Sequence, residues 1–253
     1  MPLWNPWNGC HKFSEGCKFC YIHKGDAKKG IDTNLIYKTD KFSAPIERLK
    51  RSGEYKMKPN QIVYLCFRSD FFIEEGDEWR NDCWDMIKTR SDLHFIFLTK
   101  RIERFYQCIP KDWGSGYDNV TIGCTIENQK EADFRLSQFI KMPIKHKNII
   151  CQPLIEKADI SNYLQGVELV VVGGESDRNA RPLDYNWVLD IREQCISKEV
   201  NFEFRQCGTH FIKDGKMYNL NVRDLCSQAR KAGINYNNAQ KLLSFSEEEQ
   251  YEL

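Results

Sequence analysis

Six short apolar runs, at residues 61–67, 93–98, 119–124, 148–152, 168–172 and 201–205, recur along this chain with segments of helical period between them. Runs such as Gln-Ile-Val-Tyr-Leu-Cys-Phe and Glu-Leu-Val-Val-Val are apolar without alternation. A strand of that kind is covered on both faces, the usual situation of a parallel strand. Between the runs, apolar residues return every three or four positions. Residues 78–89 carry Trp79, Cys83, Met86 and Ile87, and residues 128–140 carry Ala132, Leu136, Phe139 and Ile140. Residues 184–197 carry Trp187, Val188, Ile191 and Cys195 in the same way. Strand and helix in alternation predict an α/β domain with a parallel sheet and right-handed crossovers. Six or so units predict an open or partial barrel, and periodicity alone fits a doubly wound sheet equally well. In both architectures ligands collect beyond the carboxyl ends of the strands.

Those strand ends are polar or glycine-rich: Arg68-Ser69-Asp70, Thr99-Lys100-Arg101, Thr125-Ile126-Glu127-Asn128, Pro153-Leu154 and Gly173-Gly174-Glu175-Ser176. At 253 residues the chain is long enough to bury a sizeable core. Residues 1–212 read as the main domain, and residues 213–253 as a small C-terminal cap. The cap opens on a turn at Lys213-Asp214-Gly215-Lys216 and contains a helix over 222–232. Its last residues, 246–253, are expected to fray. The 37 Lys and Arg nearly cancel the 36 Asp and Glu, so global charge makes no case for nucleic acid. No apolar run is long enough to cross a membrane, and no signal peptide is visible at the start. Eleven cysteines without such a signal suit a reducing cytoplasm, where clustered cysteines mark metal sites more often than disulfides.

Only one such cluster exists. Cys10, Cys17 and Cys20 have the spacing C-x6-C-x2-C inside a loop of residues 8–24, and Tyr21 follows at once. Three thiolates on one loop can hold three corners of a four-iron cluster and leave the fourth iron open for chemistry. They can equally hold zinc, with His11 or His23 closing the tetrahedron. The remaining eight cysteines are scattered in apolar segments and read as small buried hydrophobes.

Taken together, these features resemble the radical S-adenosylmethionine superfamily, and in particular a phage and bacterial group of unassigned function. That group begins W-N-P-x-x-G-C-x-x-x-S-x-G-C-x-x-C-Y, as Trp4 to Tyr21 do here. Further matches are Ser69-Asp70, Leu98-Thr99-Lys100-Arg101, Glu127-Asn128-Gln129, Val172-Gly173-Gly174-Glu175-Ser176, Ala180-Arg181-Pro182 and Gln206-x-Gly208. The chain departs from the superfamily in its first cysteine gap, which is six residues rather than three, and in its short lead of nine residues. It departs from the group in having Cys207 where tryptophan is usual.

The resemblance implies a partial (β/α)6-type, TIM-like barrel. It also implies a [4Fe–4S] cluster on Cys10, Cys17 and Cys20, whose open iron binds S-adenosylmethionine and cleaves it to a 5′-deoxyadenosyl radical. Tyr21 would lie near the adenine, and Ser69 and Asp70 would take the methionine ammonium. Glu127 and Asn128 would meet the ribose, and Arg135 would clamp the methionine carboxylate. Gly173, Gly174 and Glu175 would line the pocket. Bland readings stand beside these: a helix cap at Ser69-Asp70, solvated charge on the helix after Glu127, and a simple Gly-Gly turn. Lys100, Arg101, Arg178 and Arg181 would make the mouth positive and point to a nucleotide or nucleic-acid substrate. Cys207 is a candidate hydrogen donor, with an inert buried thiol as the alternative. The expected activity is hydrogen abstraction from an unidentified substrate, with flavodoxin or ferredoxin as electron donor. The competing functions are a zinc-stabilised binding module and an iron–sulfur protein that transfers electrons or senses redox state.

Overall fold

The computed structural model describes residues 2–238; the expectation for residues 246–253 lies outside the described residues. In chain order the first elements are β1 (Leu3–Trp4), β2 (Trp7–Asn8), α1 (Tyr21–Ala27), β3 (Tyr37–Lys38), β4 (Ile62–Leu65) and α2 (Asp77–Thr89). The middle of the chain supplies β5 (His94–Thr99), α3 (Phe105–Cys108), β6 (Val120–Thr125), α4 (Gln129–Phe139), β7 (His146–Cys151) and β8 (Leu169–Gly173). It ends in β9 (Leu183–Asp184), α5 (Tyr185–Ser197), β10 (Asn201–Gln206), β11 (His210–Lys213), β12 (Lys216–Asn219) and α6 (Leu225–Lys231).

Seven strands form one sheet in the order β1-β4-β5-β6-β7-β8-β10. Every neighbouring pair in it is parallel. Each strand lies beside the one that precedes it in the sheet, so the order never reverses and there is no switch point of the doubly wound kind. Among the described residues the two edges, β1 and β10, do not pair, and the sheet is not a closed barrel. A three-stranded sheet, β12-β11-β9, and the small β2–β3 pair complete the topology.

The apolar runs fold as their pattern demands. Every residue of β6 is buried, as a central strand covered on both faces requires. On one side Phe97 of β5 meets Phe71 at a centroid distance of 4.9 Å, and Trp84 of α2 meets Phe71 at 5.1 Å. Trp7 stacks on Phe71 at 5.3 Å with the rings 7° apart, which draws the N-terminal segment into the core. Aromatic pairs of this geometry add about 0.5–1.5 kcal/mol each beyond the area they bury. Asn128 caps α4 by accepting from the Glu131 N–H at 2.9 Å, and Asp184 caps α5 through Asn186 N–H at 2.8 Å.

Two boundaries differ from expectation for local reasons. The run at 61–67 stops being strand at Leu65, because Cys66 turns the chain at φ 61°. Near the C-terminus, Asp214 and Gly215 both take positive φ, 52° and 71°, the requirement of a tight two-residue hairpin turn. They join β11 to β12, so residues 210–219 are one hairpin that crosses the boundary expected after 212.

Candidate cofactor site

The cysteine loop sits on the carboxyl edge of the parallel sheet, held there by side chains from four strand ends. After β4, Ser69 Oγ donates to the Gly9 carbonyl. After β5, Arg101 Nη2 donates to the His11 carbonyl at 3.1 Å. After β6, Glu127 Oε1 accepts from Gly16 N–H at 3.2 Å. After β8, Arg181 Nη2 donates to the Glu15 carbonyl at 2.9 Å. Helix α1, which continues the loop, is tied down by Arg68–Asp26 at 2.5 Å and by Lys24–Asp177. The backbone adds Cys10 N–H to the Thr33 carbonyl at 2.7 Å.

Two buried carboxylates organise these anchors. Asp70 accepts from Phe72 N–H (2.9 Å) and Thr99 Oγ1 (2.8 Å) on one oxygen, and from Lys100 N–H (3.0 Å) and Arg101 Nη1 (3.2 Å) on the other. A carboxylate offers about four lone-pair sites. Asp70 therefore spends its acceptors on the strand ends and has none for a ligand ammonium. Glu127 is fully buried, with Oε2 2.9 Å from both Lys100 Nζ and Arg135 Nη1. Burial raises its pKa, but the two cations outweigh burial and hold the carboxyl at about 2. Arg135 is also fully buried, and also donates to the Thr125 carbonyl at 2.7 Å and pairs with Glu131 at 2.7 Å. It is enclosed against Glu127, with its Nε left without a hydrogen-bond partner among the described residues. Asn128 is occupied as the α4 cap.

Glu175 is buried and receives the Arg181 backbone N–H at 2.8 Å, along with the Arg181 guanidinium. The paired glycines before it serve a close backbone crossing. A Cβ on Gly174 would stand 2.7 Å from the Cys207 carbonyl oxygen, and one on Gly173 would stand 3.0 Å from side-chain atoms of Gln152 and Gln206. These pairings compensate three of the four cations expected at a positive mouth. Lys100, Arg101 and Arg181 are neutralised by Glu127, Asp70 and Glu175, leaving Arg178 as the exposed cation of that group. Cys207 is buried, its thiol pushed up to about 11 by burial, and it lines a cavity between β10, the β11–β12 hairpin and α6. Tyr21 is exposed at the start of α1, and its hydroxyl donates to the Phe67 carbonyl at 3.3 Å.

The three cysteines are half-buried and unpaired. Burial pushes the Cys10 thiol up to about 12; the carboxylate of Asp70 and the neighbouring Cys17 and Cys20 add to the rise, and Arg101 opposes it. Among the described residues no group of three or more His, Cys, Asp or Glu side chains converges on a single ion. A four-iron cluster takes its thiolates at separate corners rather than at one point, so the donor set, three soft sulfurs on one anchored loop, suits it. A zinc tetrahedron needs a fourth donor; His11 bonds Glu75 through Nε2 at 2.6 Å, and His23 is half-buried on α1.

Sequence reasoning missed the anchoring role of the second layer. Phe13 lies under Arg101 and Arg135, with guanidinium-to-centroid distances of 4.8 and 5.5 Å. Gly16 sits in a tight place: a Cβ there would stand 3.0 Å from the Glu127 carboxyl carbon and 3.2 Å from Lys100 Nζ, so these side chains would have to shift by a few tenths of an ångström. The signal available was a glycine between Glu15 and Cys17 in a loop otherwise rich in long side chains. Among the described residues no helix is long and apolar enough to cross a membrane. Searches of curated proteins and of solved structures return no match to this chain. A family model does match residues 2–242, that of the family described as "Protein of unknown function (DUF5131)", and the chain belongs to that family.

Proposed function

We propose that this chain is a radical S-adenosylmethionine enzyme, built on a partial barrel, that abstracts hydrogen from its substrate. The observation that carries the reading is the seating of the cysteine loop. Ser69, Arg101, Glu127 and Arg181, from four strand ends, bond to Gly9, His11, Gly16 and Glu15 between and around the cysteines. The loop that carries the three thiols thereby lies at the carboxyl edge of the sheet, where a parallel α/β sheet collects its ligands. The unreversed strand order supports the partial barrel over a doubly wound sheet. Eleven unpaired cysteines support a reducing, cytoplasmic setting.

Cys10, Cys17 and Cys20 would hold a [4Fe–4S] cluster, which when bound supplies the electron that cleaves S-adenosylmethionine. The rest of the chemistry asked of the chain is positioning and exclusion of water. Glu127, ionised between Lys100 and Arg135, fixes the Gly16 amide. Asp70 fixes Arg101, which fixes His11 next to the first cysteine. Tyr21 is exposed next to the third cysteine, where a ring can lie against an adenine. Flavodoxin or ferredoxin would bring the electron.

Anaerobic reconstitution with iron and sulfide tests the reading. The expected product is a brown protein with roughly four irons per chain, as a four-iron cluster requires. With a strong reductant it should convert S-adenosylmethionine to 5′-deoxyadenosine, and Cys10→Ser, Cys17→Ser and Cys20→Ser should each lose the colour. A colourless protein holding one zinc overturns the proposal. A stable cluster that never binds S-adenosylmethionine also overturns it, in favour of electron transfer or redox sensing.

A further inference from the structure

A cavity of about 340 Å³ lies between β10, the β11–β12 hairpin and α6. Four of its walls are aromatic: Tyr185, Phe204, Phe211 and Tyr218. Phe204 and Phe211 are close to parallel, 27° apart at 6.2 Å, and Tyr185 meets Phe211 edge-on at 5.7 Å. Lys213 and Lys231 stand at its rim, both exposed, and Gln228 contributes an amide to its lining. The Lys213 ammonium lies 5.3 Å from the Tyr185 ring centroid.

The charge around it is unlike that of the whole molecule. Residues 205–232 hold six Lys and Arg against two Asp, in a chain whose net charge is +1. None of Lys213, Lys216 and Lys231 is neutralised in the way that Lys100, Arg101 and Arg181 are at the cysteine loop: no carboxylate ion pair is formed by them among the described residues. Tyr218 and Met217 on β12 are half exposed beside these ammoniums. Tyr218 is open to stacking and Tyr185 is half-buried, while Phe204 and Phe211 are buried and floor the cavity. An open ring with cations at its edge, unpaired among the described residues, forms a site for a planar base that carries phosphate. The volume is at the lower end for ligand pockets and suits one base rather than a larger ligand.

The cavity is also coupled to the cysteine loop. Residues 174–181 bond to the hairpin on one side, through Thr209 N–H to the Glu175 carbonyl at 2.9 Å and His210 Nε2 to the Arg178 carbonyl at 3.0 Å. On the other side they bond to the cysteine loop and α1 through Arg181–Glu15 and Asp177–Lys24. Exposed Arg178 lies on this shared segment.

We propose that this cavity binds a nucleobase of a single-stranded nucleic acid, with Lys213 and Lys231 meeting the flanking phosphates. The inference names a substrate class for the enzyme proposed above and rests on that reading only for the chemistry that follows binding.

Fluorescence anisotropy of the full chain with a labelled twelve-residue oligothymidylate tests it, with no reductant or S-adenosylmethionine present, so that failure here is separate from failure of cofactor chemistry. Tyr218→Ala, at an exposed position, should weaken binding about tenfold through lost stacking. Lys213→Gln and Lys231→Gln should each lower the slope of log affinity against log salt by about 0.7. A fully paired duplex of the same length should bind more weakly than the single strand. If mononucleotides bind as well as the strand and the same three variants weaken them, the site stands and its ligand is the free nucleotide. If neither probe binds, or if all three variants bind like the parent chain, the proposal is wrong.

Discussion

The side chain on which most of the cofactor site turns is Glu127, and its behaviour follows from its neighbours. It is a fully buried carboxylate between Lys100 and Arg135, and it receives the Gly16 amide. Replacing it by glutamine leaves a buried arginine facing a neutral amide. Breaking a buried pair costs about 3–5 kcal/mol where the surviving charge is uncompensated. Arg135 keeps Glu131 and Lys100 loses its partner, so the lower part of that range applies. The expected outcome for Glu127→Gln is a fall of that size in unfolding free energy, read from urea denaturation at neutral pH. The acid dependence of the two proteins should also differ. A carboxyl whose folded pKa is about 2 instead of 4.5 contributes stability in full above pH 4.5 and loses it as pH falls from 4.5 towards 2. The shift corresponds to roughly 3 kcal/mol. The difference between parent and variant should therefore shrink across that window, and a difference that is flat between pH 5 and pH 2 would show that the pair is not coupled to folding. Glu175→Gln, at the other buried carboxylate, should loosen Arg181 from Glu15. Its expected signature is a weaker hold on iron in reconstitution, with the fold retained by circular dichroism.

Among the elements, the cysteine loop depends most on a single backbone geometry. Gly9 has φ 93°, and a Cβ there would stand 2.3 Å from the Leu35 carbonyl oxygen. No ordinary residue fits both constraints, and the contact is with backbone, which cannot swing away. Gly9→Ala should therefore displace the turn into Cys10, and a reconstituted variant should bind markedly less iron while keeping the far-UV spectrum of the parent. Retention of full iron content would disprove the claim that this turn sets the cysteines. Element by element, the sheet was legible because burial on both faces writes itself as unbroken apolar runs, and β4 to β8 and β10 fall on the six that were read. The helices after β4, β6 and β8 were legible from their spacing and caps. The two-residue strands β1, β2 and β3 were not, since a period cannot register in so short a segment. Nor was the pairing of charges at the strand ends. Lys100, Arg101, Arg135 and Arg181 read as cations available to a ligand, and sequence position carries no sign of which carboxylate each will meet. Asp70 and Glu127 were found as residues of the site because they follow strands, but their role as anchors of the loop depends on contacts across 29 or more sequence positions for Asp70–Thr99 and 111 for Gly16–Glu127.

At the scale of the whole molecule, the N-terminal segment is not an appendage to the sheet but part of its closure at one end. Trp4 and Trp7 are completely buried, the first donating its indole N–H to the Phe42 carbonyl at 2.9 Å and the second stacking on Phe71. Strand β1 forms an edge of the seven-stranded sheet, and four later strand ends reach up to the loop that follows it. Contacts of such sequence separation can be lost only together, so the loop and the sheet should unfold as one cooperative unit. Equilibrium urea unfolding followed by tryptophan fluorescence and by far-UV circular dichroism should give coincident transitions. Fluorescence reports on all six tryptophans, Trp4 and Trp7 of the N-terminal segment among them, and the dichroism reports chiefly on α2, α4 and α5. Loading the three cysteines with the proposed cluster should move both curves to higher urea by the same amount, because a group that binds only the folded chain stabilises the whole cooperative unit. A fluorescence transition that precedes the dichroism, and that disappears in Trp4→Phe and Trp7→Phe, would mean that the segment carrying these two residues detaches while the helices persist. In that case the thiols would not be held over the strand ends by the fold itself, and the geometry on which the proposed chemistry depends would have to come from the cofactor.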